Sequence, residues 1–259
     1  MFNTALFLMS PKWQDYVTPP PDIDFSTYSQ FLEEKRVALI GPSQSIEGTL
    51  KGELIDSYDV IVRMIRPRRD TALVPKRLEK DIGTITHVVY SNFDDVILTR
   101  DYLRSLVKQR VKYLNSTRPI GDHYKDQLKE EGLFSCDVTP TKHEKWTQEL
   151  RSGPHSGFCV LLDLLSYNIK ELYILGYSFY KDAVIEEWVS HNNWTQEGYE
   201  SDAKKVWEEG DTVSANDDIR NWRRESNHNN RKELIYFKKE ILAKDPRVKV
   251  DDSMIKFLK

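Results

Sequence analysis

Short apolar runs alternate with longer amphipathic stretches along most of this chain. The runs at 36–40, 59–64, 86–90, 110–114 and 171–175 predict strands, and the stretches at 44–52, 98–108, 122–131, 154–167 and 228–242 predict helices. Val248 to Val250 adds a late edge strand. Residues 1–35 read as an N-terminal arm: Pro19-Pro20-Pro21 is a stiff extended piece, and Phe25 to Glu34 a short helix feeding the first strand. Residues 36–259 follow as one domain. The alternation predicts an α/β fold, a single Rossmann-like domain with a mostly parallel central sheet flanked by helices. Ligands of such sheets sit beyond the carboxyl ends of the strands. Gly41-Pro42-Ser43, Arg63, Tyr90-Ser91-Asn92 and Gly176-Tyr177-Ser178 all fall at such ends, so one crevice is expected to collect them.

Residues 186–226 break the pattern. Trp188, His191, Trp194, Tyr199, Trp207 and Trp222 stand among many Glu, Asp and Asn. Disordered segments carry few aromatics. The segment reads as a lid or acceptor platform, or as a surface helical insertion packing its own tryptophans.

Composition narrows the class. A chain of 259 residues can bury a sizeable core. The 38 Lys+Arg against 41 Asp+Glu leave a net charge of −3, with no basic run, which argues against a nucleic-acid partner. The longest apolar stretches, at 5–9 and 158–165, are too short for a transmembrane segment. Met1 to Met9 lacks the basic n-region and cleavage site of a signal peptide, so a cytoplasmic location is expected. The two cysteines, Cys136 in a polar loop and Cys159 in a buried helix, are expected to be free thiols.

Three blocks carry candidate chemistry. In the first, a strand at Val37 to Ile40 meets Gly41-Pro42-Ser43, and a second strand, Val60 to Val62, ends in Arg63. Strand, phosphate-sized turn, helix and strand suit a nucleotide or phosphate binder, because helix-start N–H groups attract anions and glycine lets a ligand come close. The second block is Ser152-Gly153-Pro154-His155-Ser156-Gly157, an apolar helix, and a strand ending at Gly176. Pro154 suits the first helical turn. Ser156 and Gly157 offer a hydroxyl and bare N–H groups to an anion, although a structural helix cap would read the same. The third is His228-Asn-Asn-Arg-Lys-Glu233. A histidine titrates near neutrality and can take a proton from a hydroxyl. Glu233 is placed to bond a neighbouring backbone or hold a helix start.

In this order the blocks resemble the large, small and very small sialylmotifs of the eukaryotic-type sialyltransferases. The first is similar to Val-Gly-Asn-Ser-Gly, an acidic residue, Ile-Asp, Asp, Val, Arg, Asn. The second is similar to Pro, Ser or Thr, Ser, Gly, an apolar helix, and a strand ending Tyr-Gly-Phe. Asp81-Ile-Gly-Thr-Ile-Thr-His87 resembles the Val-Gly-Ser/Thr-x-Thr segment between them. The resemblance covers roughly residues 36–240. It implies a sialyltransferase-like variant of the GT-A fold and an inverting glycosyltransferase. Such an enzyme moves sialic acid, or a related ulosonic acid such as Kdo, from a CMP-sugar to the hydroxyl of a glycan acceptor. His228 and Glu233 would be catalytic. Gly41, Pro42, Ser43, Arg63, Asn92, Ser156, Gly157, Gly176 and His191 would bind the donor, His191 as the candidate for the family's third motif. CMP leaves as a monophosphate, so no metal and no separate cofactor are expected.

The sequence departs from the family at defined points. Pro42 and Ile65 replace the two motif asparagines, and neither donates a side-chain hydrogen bond. Asn92 and Arg66 are the candidate substitutes. The motif cysteines fall at Val37 and Ile169, so the family disulfide is missing, as suits a soluble bacterial- or viral-style member. Two other readings stay open. A non-catalytic nucleotide- or glycan-binding homologue fits the lost asparagines. Another Rossmann-like transferase, such as a methyltransferase, would use the Gly41 turn but have no role for Ser156 and Gly157. Asp94-Asp95 reads first as helix-start carboxylates and second as a metal pair, and Asp251-Asp252 as a solvated turn.

Overall fold

The fold is that of a computed structural model, which describes residues 25–65, 72–91, 99–117, 120, 122–179, 181–182, 184–185, 188 and 229–259. Six strands form one sheet: β1 (Arg36–Ile40), β2 (Val60–Met64), β3 (Val88–Ser91), β4 (Tyr113–Ser116), β5 (Glu171–Leu175) and β6 (Val248–Val250). Their order across the sheet is β4-β3-β2-β1-β5-β6, and every pair is parallel. Successive strands move outward from β1 to β4, and the chain then crosses back to β5 on the other side of β1. The switch point therefore lies between β1 and β5, where open α/β sheets bind their ligands.

Strands β1, β2, β3 and β5 form because each is a short, mostly apolar run buried on both faces, while β4 adds the buried polar Asn115 and Ser116 and the edge strand β6 exposes Lys249. Alternation divides their side chains between two cores. Val37, Leu39, Val60, Val62, Val88, Tyr90, Leu172 and Ile174 face one core. Ala38, Ile40, Ile61, Val89, Leu114, Tyr173 and Leu175 face the other. The helices are α1 (Phe25–Leu32), α2 (Gly52–Asp56), α3 (Glu79–Ile82), α4 (Arg100–Lys108), α5 (Asp122–Glu130), α6 (Pro140–Leu150), α7 (Ser156–Leu165), α8 (Asn230–Tyr236) and α9 (Asp252–Leu258). Helix α7 is apolar nearly all round, with Phe158 to Leu164 buried, and it packs in the first core. Tyr28 and Leu32 of α1 are fully buried in the same core.

Several elements differ from the sequence pattern. The helix expected at 44–52 is a 3-10 turn at Gln44–Ile46, followed by α2. Gly48 (φ 76°) and Leu50 (φ 54°) are left-handed and break the helix between them. The helix expected over 228–242 is α8, which widens into a π-helix over Phe237–Leu242. Asp251 is not in a solvated turn: it is buried, and its carboxylate accepts from Ser253 N at 2.8 Å to cap α9. Cys136 lies in a loop between Ser135 and Asp137, as expected, but is buried there, and neither cysteine is in a disulfide. Among the described residues no helix is long and apolar enough to cross a membrane.

Candidate functional site

At the switch point the ends of β1 and β5 approach closely. A Cβ on Gly176, which sits at φ 75°, would lie 2.7 Å from the carbonyl oxygen of Gly41. A Cβ on Gly41 would strike the Gly176 carbonyl and the Tyr177 ring. Both positions demand glycine for backbone-to-backbone packing, Gly176 also for its conformation.

That packing revises the expected role of the first turn. Gly41 N donates to Leu175 O at 2.8 Å and Ser43 N to Gly176 O at 3.1 Å, while Pro42 has no N–H. The Pro42 carbonyl accepts from Ile185 N at 2.8 Å. The Ser43 hydroxyl donates to Asp182 Oδ2 at 2.9 Å and accepts from Ser45 N at 3.2 Å. The three residues thus join β1 to the chain leaving β5, and the N–H groups of Gly41 and Ser43, the Pro42 carbonyl and the Ser43 hydroxyl are engaged within the protein. Gly41 admits protein backbone where a ligand was expected.

Two other strand-end residues turn away from the crevice. Arg63 is fully buried. Its Nε donates to Thr86 Oγ1 at 2.8 Å, and its Nη2 to Ile82 O at 2.7 Å and Ile85 O at 3.2 Å. Alternation puts Arg63 on the face of Ile61, under α3, where its charge meets the carbonyl end of that helix. Burial lowers its pKa to about 10. Tyr90 is also fully buried, and its hydroxyl donates to Asp163 Oδ2 at 2.6 Å beneath α7. Burial beside that carboxylate raises the phenol well above its usual range. Asn92, His191 and His228 lie outside the described residues, as does the 186–226 segment except for Trp188, which is buried in the second core.

Helix α7 starts at Ser156 and Gly157, the expected anion-binding pair. Pro154, expected in the first helical turn, precedes the helix; the N-cap His155 is extended and makes no side-chain bond to the helix's first N–H groups. Ser156 and Gly157 are half-buried. No side-chain acceptor meets the N–H groups of Ser156, Gly157 and Phe158 among the described residues. Orphan N–H groups of this kind, with the positive end of the helix dipole, favour an anion. Gly157 is closely packed: a Cβ there would lie 3.2 Å from Met64 Sδ and 3.4 Å from the Tyr177 ring, so those side chains would have to give by a few tenths of an ångström. Tyr177 spans the gap from the end of β5, its ring against Gly41 and its hydroxyl donating to Gly157 O at 3.2 Å.

Glu233 reaches this place from α8. Its Oε1 accepts from His155 N at 2.6 Å and lies 3.1 Å from His155 Nδ1, with both side chains almost fully buried. The geometry brings Gly41, Gly176, Ser156, Gly157 and Glu233 together, and adds three residues the sequence reading left unassigned: His155, Tyr177 and Asp182. His155 and Tyr177 stand inside the quoted motifs and were legible as neighbours of the glycines. Asp182 carries no local signal. Among the described residues no cluster of three or more His, Cys, Asp or Glu is arranged to hold a metal.

No protein-family model and no curated protein matches the chain. Among solved structures, a mammalian sialyltransferase aligns with a TM-score of 0.47 at 13% identity, over 94% of this chain and 86% of that one. A mammalian sialyltransferase in complex with Gal-beta-1-3GalNAc-ortho-nitrophenol aligns with a TM-score of 0.44 at 15% identity, over 72% of this chain and 71% of that one. The sialyltransferase CstII from Campylobacter jejuni, in complex with the substrate analogue cytidine-5'-monophosphate, gives 0.38 at 13%, over 70% and 78%. The chemical reading rests on the residues at the switch point.

Proposed function

We propose that this chain is an inverting glycosyltransferase that takes a sugar from a CMP-activated donor. The observation that carries the reading is the uncapped start of α7 beside the β1/β5 switch point, at the second of three motifs in family order. The nucleotide phosphate binds at Ser156 and Gly157, where it meets unengaged N–H groups and the helix dipole. The acceptor hydroxyl attacks the anomeric carbon and gives its proton to His228. CMP departs with its charge held by the helix start, so no metal is required. The sugar is sialic acid or a related ulosonic acid such as Kdo, the acceptor is a glycan, and the protein acts in the cytoplasm.

Thermal unfolding with CMP, UDP, GDP and S-adenosylmethionine tests the donor. CMP at a hundredfold excess over its dissociation constant should stabilise the fold by about 2.7 kcal/mol, and the others much less. A shift with UDP or S-adenosylmethionine but none with CMP would end this reading. His228→Ala should cut transfer by roughly 10²–10⁴ and leave CMP binding nearly unchanged, as removal of a general base does. One observation favours a second reading. The engaged N–H groups of Gly41 and Ser43 leave fewer donors for a phosphate, which suits a nucleotide binder without turnover. CMP binding without hydrolysis or transfer of a CMP-sugar would select it.

A further inference from the structure

We infer that Glu233 is a positioning residue that acts through His155 on the first turn of α7, and not a group that touches the reacting atoms; this rests on the donor site proposed above. In a capping box, the N-cap side chain bonds an N–H of the first turn. A glutamate three residues on, in the same helix, receives the N-cap N–H. In α7 that third position is Phe158, and the N-cap imidazole points elsewhere. The missing carboxylate comes from another helix. Glu233 Oε1 receives His155 N at 2.6 Å and sits 3.1 Å from Nδ1 of the same residue. One buried oxygen therefore fixes both the backbone and the ring of the residue that opens α7. The N–H groups of Ser156, Gly157 and Phe158 are left to a ligand.

Two further bonds make this a grip on the α6–α7 connection. Lys232 Nζ donates to Arg151 O at 2.9 Å, and Tyr236 Oη to Glu149 Oε2 at 2.8 Å. Arg151 turns the chain there with a left-handed φ of 52°, so the path into α7 is set by α8 from both ends. The histidine of the third motif stands five residues before Glu233. The helix that follows the proposed base thus also sets the proposed phosphate site. Glu233 couples the two halves of the reaction without joining the chemistry.

The test compares CMP affinity by calorimetry, and donor KM and kcat, across wild type, Glu233→Gln, Glu233→Ala and His155→Phe. The Gln oxygen still accepts from His155 N, so Glu233→Gln should stay within about threefold of wild type. Glu233→Ala should weaken CMP about tenfold or more, the scale of a lost charge-assisted bond, and should raise donor KM more than it lowers kcat. If Glu233→Ala fails to fold, His155→Phe decides. It keeps the backbone N–H and a ring but loses the imidazole bond, and should weaken CMP several-fold. The inference is overturned if Glu233→Gln loses turnover as fully as Glu233→Ala while both bind CMP like wild type, since an ionised carboxylate would then act in the chemistry. Unchanged CMP affinity in Glu233→Ala and His155→Phe overturns it too. Wild-type protein that ignores CMP overturns the donor reading itself and this inference with it.

Discussion

Lys142 and Asp163 show how single residues hold the back of α7. Asp163 is almost fully buried. Its Oδ1 accepts from Lys142 Nζ at 2.6 Å and its Oδ2 from the Tyr90 hydroxyl at 2.6 Å. Burial pushes the carboxyl pKa up, and Lys142 opposes it. Such a pair adds little net stability, but removing one partner strands the other. Lys142→Met should therefore destabilise the fold by about 3 kcal/mol, near the lower end for buried pairs because the ammonium keeps some water contact. Asp163→Asn, which leaves unpaired only the partly exposed Lys142 ammonium, should cost less; equal losses in urea unfolding would refute this. Asp137 gives a pH dependence. It is buried, accepts from Ser116 N, Ser135 Oγ and Ile120 N, and is pushed up to about 6 by burial. The folded state then holds the proton more tightly than the unfolded state. Stability from this group is full below about pH 4 and is lost as pH rises through about 6, a difference of roughly 3 kcal/mol. Asp137→Asn should remove that fall. A variant with the wild-type slope between those pH values would show that other groups produce it.

At the scale of elements, legibility followed the density of apolar positions. β1, β2, β3 and β5 were readable because each is a short apolar run largely buried on both faces, and α7 because most of its residues are apolar. β4 lies at Tyr113–Ser116, later than the expected 110–114, because it ends in the buried polar Asn115 and Ser116, and the edge strand β6 exposes Lys249. Helix α6 was not read. Its buried side chains are Trp146 and Leu150, too sparse a stripe to declare a helix. The available signal was at its start: Thr139 accepts from Lys142 N at 3.2 Å, and Pro140 occupies the first turn. This cap should matter more than usual, since α6 contributes few apolar contacts and carries Lys142 to Asp163. Thr139→Ala should cost about 1 kcal/mol, seen as a lower Tm. Thr139→Ser should recover most of it, and a Ser variant no better than Ala would point to methyl packing in place of the cap.

The whole molecule explains which site residues were legible. Gly176, Ser156 and Gly157 lie together at the β1/β5 switch point, and their positions were legible because glycine and proline mark backbone geometry locally. Arg63 and Tyr90 were misplaced because lying at a strand end does not say which face a side chain takes or where its far end finds a partner. That depends on α3 and α7 packing from opposite sides of the sheet. The Glu233–His155 contact joins residues 78 apart in sequence, and no local pattern names the partner. The first core, which holds α7 from behind, also contains both thiols: Cys136 beside Tyr167, and Cys159 within α7. Burial pushes Cys136 up to about 12, so little reactive thiolate forms near pH 8. Neither thiol should then react with iodoacetamide until the core opens. If the core opens as one body, both should label at the same slow rate, and dithiothreitol should change neither stability nor binding. If CMP binds the folded state as proposed, a hundredfold excess over its dissociation constant should slow both about a hundredfold. Rapid native labelling of Cys136, or protection by CMP of Cys159 but not Cys136, would contradict a single opening unit and place the ligand's effect on α7 alone.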